Sequence, residues 1–189
     1  MTFTDTHCHL ADPKLADTLP AVLAEAQAVG VARFIVPATS PKDWQAVAQL
    51  ERPSENIHIA FGIHPWFSDG LNEAAFQELE KELIRHPQAW VGEIGLDFYG
   101  KEQTQAQRDT QTDVFIRQLI LAQTLNRRVI IHNLKATAAI AAAVKTSGFT
   151  RGGIVHAFSG SVEEARILVK LGFKIGIGSL LLNSNAQKV

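Results

Sequence analysis

The chain has 189 residues, 46% of them hydrophobic and 20% charged, with a formal net charge of −1. This length and apolar content suit one domain, residues 1–189, with a sizeable core; they exclude a disordered chain and a protein that holds nucleic acid by a strongly basic bulk charge. A single cysteine, Cys8, excludes an internal disulfide framework, and with no basic-then-apolar leader and no apolar run near the ~20 residues that span a bilayer, a soluble protein of the reducing cytoplasm is expected.

The first apolar-flanked segment, FTDTHCHL, sets Asp5, His7 and His9 at alternate positions, so a strand over residues 3–7 predicts three polar side chains on one face. A helix is expected over residues 15–29, a strand over 31–38, a helix over 41–50 opened by Ser40-Pro41, and a strand over 57–63 that runs into FGIHPW. Next come a helix over 71–85, a strand over 89–95 in the stretch WVGEIGLD, a helix over 105–125 and a strand over 128–132 ending in VIIHN. The last units are a helix over 136–146, a strand over 153–158 in IVHAF, a helix over 161–171 and a strand over 173–178. Gly30, Gly148 and Gly172 mark helix C-termini. Seven short, nearly continuous apolar strands alternating with helices predict a parallel sheet covered on both faces.

Strict βα alternation allows an open doubly wound sheet or a closed (β/α)8 barrel. The polar residues decide between them. His7 and His9, His64, Glu93, His132 and His156 sit at the C-terminal ends of five different strands, where a barrel assembles a site, whereas an open sheet concentrates its contacts at one crevice. No glycine-rich phosphate loop follows the first strand, which weighs against nucleotide binding.

Imidazoles and a carboxylate converging on one cavity suit zinc, manganese or another divalent ion. His7, His9, Glu93, His132 and His156 offer more donors than one tetrahedral ion needs, and a glutamate can bridge two ions, so a binuclear centre and metal-assisted hydrolysis are expected. Two buried histidines on one face, or a glutamate amid WVGEIGL, would otherwise need partners at a cost of ~1–3 kcal/mol per unsatisfied group. His64, followed by Pro65 and Trp66, also suits a packed loop residue. His58 and His86, at a strand start and a helix end, read as ordinary hydrogen-bonded residues. Cys8 alternates with the two histidines and reads as core.

The ordered set DTHCHL, FGIHPW, VGEIGLDFYG, VIIHN and VHAFSGS resembles the TatD family of metal-dependent hydrolases, described as deoxyribonucleases, over residues 5 to about 178. The resemblance implies a TIM barrel, two divalent cations (zinc, manganese or magnesium) and phosphodiester hydrolysis by metal-bound hydroxide, often as a 3′-to-5′ exonuclease on DNA. It further implies that His7 and His9 hold one metal, that Glu93 bridges, and that His132 and His156 hold the second. His64 would lie near the substrate phosphate, and Asp97 would support the site from the loop after the fourth strand. DNA or a small phosphodiester or ester is the expected partner, with no membrane and no obligate protein partner.

Two departures from the family pattern are visible. The family's arginine two positions after the strand-five histidine is Leu134 here, with Lys135 beside it, and a lysine does not reproduce the bidentate fork of arginine. Similar proteins also continue through an eighth strand bearing an aspartate ligand, so the expectation is a (β/α)8 barrel lacking its last βα unit. Two alternatives accompany the nuclease reading: an amidohydrolase-like barrel cleaving an amide, ester or lactone, and a non-catalytic metal-binding remnant.

Overall fold

A computed structural model describes residues 1–52, 56–100 and 102–185. Its frame is one parallel sheet of seven strands in the order β1 to β7, each paired with its neighbours in sequence. The strands are β1 (Phe3–Asp5), β2 (Val31–Pro37), β3 (Ile57–Phe61), β4 (Trp90–Asp97), β5 (Val129–Leu134), β6 (Gly153–Val155) and β7 (Phe173–Ile175). The helices between them are α1 (Leu19–Ala28), α2 (Trp44–Ala48), α3 (Glu73–Arg85), α4 (Gln105–Thr124), α5 (Thr137–Thr146) and α6 (Val162–Lys170). Sequential order with no reversal is barrel topology; a doubly wound sheet would reverse at a switch point. The expected seven-stranded barrel fold is therefore borne out.

Two apolar layers hold the sheet. The larger lies between strands and helices and joins Phe34, Val36, Ile59, Phe61, Val91, Ile131 and Val155 to Leu79, Phe115, Leu119 and Ile140. The smaller lines the inside of the curled sheet and consists of Ile35, Ala60, Ile130 and Ile154, with Trp90 against it. Alternate residues of one strand thus serve the two layers, as the two-residue period of a strand requires.

Several predicted boundaries move, each for a local reason. The first strand stops at Asp5, because the Asp5 carboxylate accepts the backbone N–H of His7 at 3.1 Å and turns the chain. His7 and His9 therefore ride on the loop after β1, not on a strand face. The helix expected from residue 15 divides into a 3-10 turn at Pro13–Leu15, capped by Asp12, and α1 from Leu19. Pro20 explains the break: it lacks an N–H and clashes with the preceding turn, so it is tolerated only in a helix's first turn. The helix expected from Pro41 begins at Trp44 because Asp43 accepts from the amides of Thr39 and Ser40 and holds the preceding loop in a tight turn. α4 starts where expected and α6 one residue later, each with a reciprocal capping box, Thr104 with Gln107 and Ser161 with Glu164. The strands over 153–158 and 173–178 shorten to three residues each, leaving His156 just past β6.

Candidate metal centre

Glu93 sits inside β4 with 3% of its surface exposed, and its carboxylate is the point on which the other groups converge. His7 Nε2 lies 2.7 Å from Oε2, and His156 Nε2 lies 2.7 Å from Oε1. His132 Nδ1 is 3.1 Å and His64 Nε2 3.4 Å from the same Oε1. The imidazoles of His7 and His156 stack in parallel with centroids 3.8 Å apart, and His9 meets His7 edge-on at 4.7 Å. Five strand ends thus deliver side chains to one spot, the arrangement expected from the sequence.

Electrostatics follow from this crowding. Burial alone would raise the Glu93 pKa, but hydrogen bonds from His132, His156, His64 and His7 outweigh it and hold the carboxyl well below the usual carboxylate range. His132 is pushed the other way: burial opposes its charge, yet Glu93 and Asp97 together raise its pKa. For His156 burial wins and the pKa falls, which favours the neutral imidazole. Cys8 belongs to neither group; its thiol donates to the Ile35 carbonyl, packs on the core and is pushed up to about 12, first by burial and then by Asp5.

The donor set fits divalent cations. His7, His9 and Glu93 place one potential ligand atom each within 4.8 Å of one another, and so do His64, Glu93 and His132. A carboxylate has about four lone-pair sites, enough to face two ions at once. The second group differs in one member from the set implied by the family resemblance, which pairs His132 with His156. Here the His64 Nδ1 accepts the Trp66 amide at 3.2 Å, so a neutral His64 carries its proton on Nε2 and faces Glu93 as a donor. His156 has no such obligation.

Asp97, at the end of β4, is buried, and its Oδ2 accepts from Trp66 Nε1 at 2.7 Å and lies 3.3 Å from His132 Nε2. It fixes the orientation of the His132 ring rather than joining the cluster around Glu93. His86 pairs with Glu51 at 2.7 Å, as an ordinary hydrogen-bonded histidine does. Lys135 follows β5 with φ +56°.

Sequence reasoning overlooked the groups that hold the loops still. Gln118 on α4 is fully buried; its Oε1 accepts from the Ile63 amide at 2.7 Å and its Nε2 donates to the Ile63 carbonyl at 3.1 Å, one residue before His64. Two helical turns earlier, Gln111 accepts the Asp97 amide at 3.0 Å. Trp44 Nε1 donates to the Gly62 carbonyl at 3.0 Å. The available signal was two glutamines seven residues apart on the face of α4 that also carries Val114, Phe115 and Leu119.

A parallel βα barrel that gathers imidazoles around one buried carboxylate toward the C-terminal ends of its strands is the architecture of metal-dependent hydrolases. The chain belongs to the TatD family: the family model described as TatD related DNase matches residues 4–189. The chain is 34% identical over 188 residues to the uncharacterized metal-dependent hydrolase YjjV of Escherichia coli K12, covering 98% of this chain and 71% of that protein. It is 32% identical over 186 residues to the uncharacterized metal-dependent hydrolase YabD of Bacillus subtilis, covering 97% and 71%. The crystal structure of YjjV superimposes with a TM-score of 0.86, covering 95% of this chain and 69% of that one.

Proposed function

We propose that the protein is a phosphodiesterase that shortens DNA from its 3′ end with the help of two divalent cations, for which Glu93 would be the shared ligand. His7, His9 and Glu93 would hold one cation and Glu93, His132 and His156 the other, with His64 near the substrate phosphate and Asp97 the residue that fixes His132. When bound, such a pair of ions supplies Lewis acidity and lowers the pKa of water toward 7. Glu93, kept ionised by its ring of imidazoles, supplies the negative charge that two cations require.

The observation that carries the substrate class is the rim. Trp66 is 71% exposed with its ring centre 6.5 Å from that of His132, and Tyr99, 68% exposed, follows β4 with its amide donating to Asp97. Trp66 is anchored at its indole nitrogen by Asp97, so its face is presented in a fixed position. Exposed aromatic faces beside a phosphate-cleaving centre suit stacking of unpaired bases, worth about 1–3 kcal/mol per base. The single cysteine agrees with a reducing, cytoplasmic setting.

The test is hydrolysis of single-stranded oligonucleotides labelled at the 5′ end, alongside a simple aryl ester. Stepwise 3′ shortening that stops with a chelator and returns with manganese, magnesium or zinc is expected. Ester cleavage with DNA untouched, or DNA cleavage that survives chelation, overturns the reading.

A further inference from the structure

At the end of the barrel opposite the histidines, where the strands begin, a cavity of about 380 Å3 is lined by Arg33, Trp90, Arg128, Arg151 and Lys174 and floored by Ile35 and Ile154. The strand period explains why cations gather there. Ile35, Ile130 and Ile154 form the inner apolar layer; Arg33 shares a face with Ile35, Arg128 shares one with Ile130, and Lys174 is the registered neighbour of Ile154 on β7. Arg128 lies 5.6 Å from the Trp90 ring centre. His58, the registered neighbour of Ile35 on β3, has its pKa lowered first by burial and then by the Arg33 guanidinium.

None of the described residues lining this cavity is acidic. Cations from several strands that share one mouth raise each other's energy unless an anion lies between them. Guanidinium groups match the oxygens of a phosphate in bidentate fashion. The space falls in the range of about 300–1,000 Å3 typical of ligand sites, well beyond what inorganic phosphate fills, and Trp90, Ile35 and Ile154 offer an apolar surface to the remainder.

We infer that this mouth is a second ligand site that binds a small phosphomonoester, its phosphate held by Arg33, Arg128, Arg151 and Lys174 and its organic body set against Trp90 and the inner isoleucines. The inner apolar layer separates it from the centre around Glu93, so the site stands whether or not the nuclease reading does. Its ligand is a sugar phosphate or a nucleoside monophosphate, which share the phosphomonoester chemistry and differ in body.

Calorimetric titration of the intact protein with ribose 5-phosphate, adenosine monophosphate and inorganic phosphate tests it. At least one organic phosphate should bind saturably and more tightly than inorganic phosphate, the tighter of the two identifying the body. An Arg128→Gln/Lys174→Gln double variant should lose that binding while keeping its far-ultraviolet circular dichroism. Arg33→Gln, a single exposed change that serves if the double variant does not fold, should bind roughly tenfold more weakly. Saturable binding of none of the three, inorganic phosphate binding as tightly as both organic compounds, or unchanged affinity in Arg33→Gln would each overturn the inference.

Discussion

Glu93 is a carboxylate that four imidazoles approach within 3.4 Å, and its position in β4 leaves it only 3% exposed. Replacing either partner of such a cluster strands the rest. His132→Ala should lower metal-dependent hydrolysis steeply, since it removes a donor and leaves Asp97 facing a void. Asp97→Asn keeps the shape but weakens the orienting contact to His132, and outer contacts of this kind cost about 10–100-fold in activity or metal affinity. The check is kcat against KM for both variants: a fall in kcat with little change in KM is expected for Asp97→Asn, and equal activity to wild type would remove Asp97 from the site. That these side chains would gather was legible because polar residues closing apolar strands have no cheap structural explanation. The clamps were not legible, because a glutamine in a helix reads as a solvent-facing residue and only the packed structure shows Gln118 gripping both backbone groups of Ile63.

At the scale of elements, α4 acts as a splint across the ends of β3 and β4. Gln118→Ala would leave the buried N–H and C=O of Ile63 without partners, at about 1–3 kcal/mol for each unsatisfied group, and loosen the loop that carries His64. Urea denaturation should show that loss, and activity should fall with it; unchanged stability would mean the clamp is dispensable. Gly95 is the other fixed point, with φ +139° and a site where a Cβ would stand 2.1 Å from the His132 carbonyl oxygen. Gly95→Ala must push β4 and β5 apart beneath the cluster, so it should destabilise the fold and lower metal affinity together, as melting and metal titration would report. Most strands and the long helices could be read from apolar period, but boundaries set by one side chain, such as Asp5 ending β1 or Pro20 delaying α1, follow from contacts and backbone chemistry that a periodic pattern does not contain.

For the molecule as a whole, β1 and β7 each pair on one side only among the described residues, and a groove of about 820 Å3 lies between them. Phe3, Ile177 and Leu181 are exposed beside it. Unpaired strand edges with apolar neighbours recruit further strands, so a polypeptide of these 189 residues should self-associate. Sedimentation should show mass rising with concentration, and Ile177→Lys should shift it toward monomer; a monodisperse monomer at all concentrations would contradict this. The barrel's polar chemistry is divided between its two ends, histidines and Glu93 toward the C-terminal ends of the strands and cations at their starts, with the inner isoleucines between. In the proposed centre Glu93 would join two cation sites. Metal content per chain, measured for wild type and Glu93→Gln after equilibration with manganese or zinc, decides whether it does. Two ions in wild type and loss of both in Glu93→Gln is the predicted result; an equal number of ions bound by the two proteins would contradict it.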